Sequence, residues 1–110
     1  MPSAYKILGQ NSPAATILTD IYTVPALTQA IVSTITVCNR ANTSTAYRLS
    51  QAIAGAADAV QQYLAYDAPI AGNSSHMLTV GLSLGAADKI RGYSTSGLVS
   101  FNISGTEITP

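Results

Sequence analysis

Two side chains in this chain invite a search for chemistry first: His76, its single histidine, and Cys38, its single cysteine. A hydrolytic triad needs a nucleophile, a histidine and an acid in hydrogen-bond order. Ser74 and Ser75 directly precede His76, but neighbours on an extended strand point to opposite faces. No Gly-x-Ser-x-Gly elbow is present to expose a serine. His76 therefore reads as a surface histidine at a strand edge. Cys38 closes a run of β-branched residues and has only Arg40 as a basic neighbour. It reads as a small buried hydrophobe, not an activated thiolate.

Zinc asks for three or four Cys and His ligands, and the chain has one of each. Calcium asks for clustered carboxylates, and a glycoside hydrolase asks for an opposed pair. Asp20, Asp58, Asp67, Asp88 and Glu107 are dispersed along the sequence. Neither a phosphate-binding loop nor a dinucleotide fingerprint occurs. The expectation is a protein with no catalytic residue, no metal and no cofactor, whose work is binding or building.

What remains for binding is surface. Charged residues are 9% of the chain, against about 25% in an ordinary domain. A coat of Ser, Thr, Asn, Gln and Ala is inexpensive to desolvate, which suits a surface held against other protein. Five basic and five acidic residues cancel. Lys6, Arg40, Arg48, Lys89 and Arg91 are scattered, with no positive footprint for nucleic acid. A neutral chain also lacks the repulsion that opposes self-association. Tyr5, Tyr22, Tyr47, Tyr63, Tyr66 and Tyr93 offer rigid contact area with a polar tip, although rings buried at strand ends are the simpler reading. Sequons at Asn42, Asn73 and Asn102 have no secretory signal before them and read as incidental. No apolar run is long enough for a membrane helix. The lone cysteine excludes a disulfide-stapled scaffold. The chain is expected to be made in a cytoplasm.

The elements that must position this surface are strands. The chain has 110 residues, 47% of them hydrophobic, enough for one core and one domain. Thr, Val, Ile and Tyr recur, and Gly, Pro and Asn interrupt them at short intervals. Ala4 to Gly9 forms a short first strand with Tyr5 and Ile7 on one face. Ala15 to Val24 follows, with a bulge near Thr19-Asp20 and a stop at Pro25. Gln29 to Cys38 is the clearest strand, with Ile31, Ile35 and Val37 sharing a parity. Thr45 to Ile53 sets Tyr47, Leu49 and Ile53 against Ala46, Arg48 and Ser50. Gly55 to Gln62 is a loop with room for a helical turn. Gln62 to Asp67 is a strand ended by Ala68-Pro69. Ser75 to Leu82 and Lys89 to Tyr93 follow. In the last strand Val99, Phe101 and Ile103 alternate cleanly with Ser100 and Asn102.

About eight short strands fit a single-domain, all-β, antiparallel β-sandwich. Jelly-roll and immunoglobulin-like connections both stay open. The sandwich is assigned to residues 15–110. Residues 1–14, with Pro2, Gly9 and Pro13, are either an ordinary edge strand or an arm lying on a neighbouring subunit. As an arm, they would make contact through Tyr5, Ile7 and Leu8.

Several segments carry a resemblance. They are Lys6-Ile7-Leu8-Gly9-Gln10, Ser12-Pro13-Ala14-Ala15-Thr16, Asp20-Ile21-Tyr22-Thr23-Val24-Pro25-Ala26 and Val32-Ser33-Thr34-Ile35-Thr36-Val37-Cys38-Asn39-Arg40. Ala54-Gly55-Ala56-Ala57, Tyr63-Leu64-Ala65-Tyr66-Asp67 and the ending Leu98 to Ile108 belong with them; Arg91-Gly92 does not. Together they cover most of the chain, and they resemble small virion structural proteins of tailed phages. The best fit is a capsid cement (decoration) protein of cyanobacterial phages. The resemblance implies a β-sandwich on the outer capsid surface of the virion that joins neighbouring capsomers. It implies the major capsid protein as partner, a homo-oligomer (dimer or trimer), and neither nucleic acid nor membrane. It supplies no catalytic residues. A tail, baseplate or fibre component with a binding role is the alternative.

Overall fold

The computed structural model describes residues 2–110, so Met1, the first residue of the candidate arm, lies outside the described residues. Eight strands follow in order: β1 (Ser3–Asn11), β2 (Thr19–Thr23), β3 (Gln29–Asn39), β4 (Thr45–Ala52), β5 (Tyr63–Ile70), β6 (Ser75–Leu84), β7 (Lys89–Ser94) and β8 (Val99–Ile108). Two single 3-10 turns, Ile53–Gly55 and Val60–Gln62, occupy the expected β4–β5 loop.

Pairing runs from the outside of the sequence inward. β1 pairs with β8, β2 with β7, β3 with β6 and β4 with β5, all antiparallel. The chain is thus one long folded-back ribbon whose successive pairs alternate between two layers. Further pairing of β3 with β8 and of β4 with β7 completes a front sheet, β1-β8-β3-β6, and a back sheet, β2-β7-β4-β5. That is the jelly-roll connection, which decides between the two alternatives left by the sequence.

The core lies between the sheets. Val32, Ile35, Val37, Phe101 and Ile103 come from the front; Tyr47, Leu49 and Ile90 come from the back. The β8 alternation is as read: Val99, Phe101 and Ile103 face inward.

In β3 the expected parity holds only for its second half. Ile35 and Val37 are buried, but Ile31 faces outward and Ala30 and Val32 take the inside. The cause is a bulge at Ser33. Between matched pairs the chain advances one residue in β8 (Gly105 to Ser104) and two in β3 (Val32 to Thr34). In β6 it advances three, from Leu82 to Thr79. Each strand toward the β6 edge adds a residue, which bends the sheet and flips the parity of β3. Ile53 is likewise not in the β4 face; it is exposed in the first 3-10 turn.

Two boundaries also move. β2 begins at Thr19 instead of Ala15, and its register shifts between Asp20 and Tyr22, so Ile21 and Tyr22 both turn inward. β5 runs through Pro69 to Ile70, with Pro69 opposite Ala46. β5 is an edge strand, where a missing donor costs no ladder bond.

One buried polar residue organises the far turns. Asn39 is fully buried. Its side-chain amide donates to the carbonyls of Thr43, Ile70 and Ala71 at 2.9, 3.2 and 3.1 Å, and its oxygen accepts from the Ala41 amide at 3.0 Å. It supplies the partners that two facing turns would otherwise lack.

Candidate docking face

The outward side of the front sheet is assembled in rows across four strands. Tyr5, Thr106, Ile31 and Ser83 form one row, followed by Ile7, Ser104, Thr34 and Thr79. Gln10, Asn102, Thr36 and Met77 form the next, and Ser100, Cys38 and Ser75 the last. Gln10 donates to Asn102 across the third row at 2.6 Å. Four strands about 4.8 Å apart and roughly ten residues long give a face of some 600 Å². None of its side chains is charged. Its apolar members are prominent: Tyr5 is 86% exposed, Met77 72%, Ile7 59% and Ile31 45%.

Two charged residues of the front strands, Lys6 and Glu107, have the opposite parity. They point to the inter-sheet side, where β1 and β8 overhang the end of β2. Lys6 Nζ lies 2.7 Å from Glu107 Oε1, and the Tyr22 hydroxyl donates to Oε2 at 2.6 Å. Lys6 and then Tyr22 hold the Glu107 carboxyl below the usual carboxylate range. Burial, with Glu107 beside it, pushes the Tyr22 hydroxyl up.

The back sheet has the other character. Asp20 on β2 meets Lys89 at 2.7 Å and Arg91 at 3.0 Å, both on β7. Those cations keep the Asp20 carboxyl low, Lys89 most strongly. Arg48 on β4 donates twice to Asp67, at 2.7 and 3.3 Å. Its guanidinium also stacks on Tyr66 and Tyr93, 4.2 and 4.4 Å from the ring centres. Tyr63 packs edge-on against Tyr66 and donates to Asp58.

Tyr5, Ile7 and Leu8, the expected arm contacts, lie on β1, which pairs with β8 of the same chain. Tyr5 and Ile7 project from the face; Leu8, at a bulge, packs against the core. His76 is half-buried on β6 and shares a 3.1 Å hydrogen bond with the Tyr47 hydroxyl. Ser74 uses its hydroxyl on the Ala71 carbonyl at 2.6 Å and does not approach the imidazole as a nucleophile would. Cys38 is half-buried on the outward face, not a core residue as expected. Among the described residues no set of three His, Cys, Asp or Glu side chains is arranged to hold a metal ion. No described helix is long and apolar enough to cross a membrane.

Sequence reasoning missed Ile31, Thr36 and Met77 as members of one surface. A signal was present: Gln29–Asn39, Ser75–Leu84 and Val99–Thr106 contain no Lys, Arg, Asp or Glu. Three uncharged strands need only share a sheet to make an uncharged face.

No family model matches the chain by sequence, and no characterised protein does either. Among solved structures, a chain in the structure of infectious bursal disease virus, Gx strain, has a like fold, with a TM-score of 0.51 and 9% identity over 96% of this chain. The present chain spans 30% of that chain's length.

Proposed function

We propose that the protein is a capsid cement (decoration) protein of a tailed phage, docking on the outer surface of the head and stabilising contacts between capsomers. The charge-free outer face of the front sheet carries this reading. A face of some 600 Å² approaches the roughly 800 Å² per partner of a standard stable interface. Hydroxyls and four apolar side chains leave no ion to desolvate when it is covered. The like fold of a chain in a virus structure supports a virion role, as do the sequence segments that resemble phage structural proteins.

The role is mechanical. Packaged DNA pushes outward on a shell, and a protein that binds only the assembled lattice stabilises it by linkage. Many modest contacts acting together raise the cost of opening a seam. The major capsid protein is the proposed partner.

A tail, baseplate or fibre component is the second reading, favoured by the tyrosines gathered around Arg48. Counting the protein against the major capsid protein in purified particles by quantitative mass spectrometry separates the two. A ratio that is a sizeable fraction of one supports the head, and a few per cent moves the protein to the tail. Thr36→Arg, which puts a cation in the centre of the face, should leave the melting curve unchanged and abolish binding to heads that lack the protein. Undiminished binding by Thr36→Arg would remove the face from the docking surface.

A further inference from the structure

A protein that bridges two capsomers needs two contact surfaces, and one face is not a bridge. One end of the sandwich offers a second candidate. The β2–β3, β4–β5 and β6–β7 loops emerge there together, because Ala30 is matched with Leu84 and Ala52 with Lys89. Among the described residues, three large aliphatic side chains are more than four-fifths exposed: Leu27 at 81%, Ile53 at 81% and Val60 at 87%. All three are on these loops. The loops at the other end are less apolar: Asn42-Thr43-Ser44, Asn73-Ser74 and Thr95-Ser96 are hydroxyl and amide residues, and the exposed large aliphatic side chains there, Ile17 and Leu98, reach only 55% and 44%.

The apolar end is held in shape. Asp88 accepts from the Ala54 amide at 2.8 Å with one carboxylate oxygen and from the Gly85 amide at 2.8 Å with the other. Its own carbonyl accepts from Val24 at 3.0 Å, so one residue ties the three loops together. Leu27, Ala54 and Ala87 all hold positive φ, at 59°, 53° and 69°. Left-handed backbone is disfavoured for side chains with a Cβ and persists where surroundings enforce it. Thr16 and Asn73, in turns at the other end, share this conformation; what sets Leu27 apart is that its turn puts a large apolar side chain into solvent. Two depressions flank the Gly85–Asp88 loop: one of about 440 Å³ reaches Leu27, and one of about 400 Å³ reaches Ile53. The three loops carry two carboxylates, Asp58 and Asp88, and neither Lys nor Arg; the bordering cations, Lys89 and Arg91, are both paired with Asp20, and Arg91 also donates to the Gly55 carbonyl at 3.3 Å.

We propose that this loop end is a second docking surface, and that its occupant is an apolar cleft edged by basic side chains on a neighbouring shell subunit. Charge favours this occupant over a second copy of the chain, which would bring like carboxylates together. A loop end already ordered by Asp88 loses little conformational freedom on docking. The inference rests on the capsid reading.

The test is site-specific photo-crosslinking in particles assembled in infected cells. The probe replaces Leu27 or Val60 at the end, Thr36 on the face, or Asn42 at the opposite end. Adducts from positions 27 and 60 to a shell subunit, with none from 42, are expected. Adducts from 27 and 60 to a tail component would keep the docking end in use but overturn both its shell partner and the head reading. Adducts from 36 to the shell with none from 27 or 60 would overturn the second surface alone. Absence of the chain from particles would overturn both. Leu27→Asp and Val60→Asp, in exposed positions, should melt as the parent does and lower particle occupancy at least tenfold; parental occupancy would overturn the inference.

Discussion

The two outer faces of this sandwich come from the same small alphabet and differ in one property. The back sheet carries Asp20, Arg48, Asp67, Lys89 and Arg91, locked into ion pairs among themselves. The front sheet carries hydroxyls, amides and four exposed apolar side chains. A paired ion still has to lose water if a partner covers it, and exposed pairs return little stability. A hydroxyl row has no such cost. The back face is therefore suited to solvent and the front face to being covered. In a chain with so few charges, where they sit is more informative than how many there are.

The shape of the front face depends on its bulge, and the largest effect is expected there. A Cβ on Gly105 would fall on the Ile31 carbonyl oxygen and 3.0 Å from the Val32 Cα, both backbone. A Cβ on Gly92, in the back sheet, would meet the tip of Ile21 and the Phe101 ring at 3.1 Å, which are side chains that can turn. Gly105→Ala should cost about 3 kcal/mol or more, and Gly92→Ala about 1–2 kcal/mol, because only side chains can repack. Urea unfolding of both variants measures the difference. Equal costs would mean that the front sheet yields as easily as the back, and that its face is not rigidly set.

The bulge also marks where the sequence stopped being legible. In β8 no residue interrupts the alternation, so Val99, Phe101 and Ile103 declare their face unaided. In β3 a single extra residue, Ser33, inverts the parity of everything before it, and Ile31 and Val32 exchange places. Only the neighbouring strands reveal that residue, because a bulge is a relation between strands. Pro69 misled for a related reason: a proline ends a central strand but not an edge, and edge status is a property of the sheet. Asn39 reads as the start of a polar turn, yet it is fully buried. The carbonyls it satisfies at Ile70 and Ala71 are over thirty residues away in sequence. The jelly-roll order and the uncharged face were illegible for the same reason, since both depend on which strands are neighbours.

A smaller effect should appear where the two sheets meet, at Glu107. Its carboxyl titrates below its ordinary range because Lys6 and Tyr22 favour the charged form. The stabilisation is therefore fully present above the unfolded-state pKa and is lost as pH falls through the lower folded-state value. Glu107→Gln should be less stable than the parent at neutral pH, with the gap closing on acidification through that window. Asp20→Asn should follow the same sign with a smaller gap. The Asp20 side chain is 44% exposed against 14% for Glu107, and solvent screens its partners more. Denaturant midpoints at neutral and acid pH give both gaps. A Glu107→Gln gap independent of pH would mean that packing, not ionisation, joins the sheets there.

The smallest effect is expected at the most conspicuous contact on the back sheet. Arg48 has a paired carboxylate and two aromatic neighbours, but its surroundings are solvent-exposed, so salt and water already do much of what Asp67 does. Arg48→Ala should shift the melting temperature only slightly and leave head binding intact. Binding through the front sheet should also be insensitive to salt, because no ion pair forms or breaks there. Head-binding isotherms for the parent and for Arg48→Ala, across a salt series, test both statements together. If binding weakens steeply with salt and is lost in Arg48→Ala, the charged sheet is the one that docks. The tyrosines around Arg48 would then be the contact surface, and the uncharged face would be the one left to solvent.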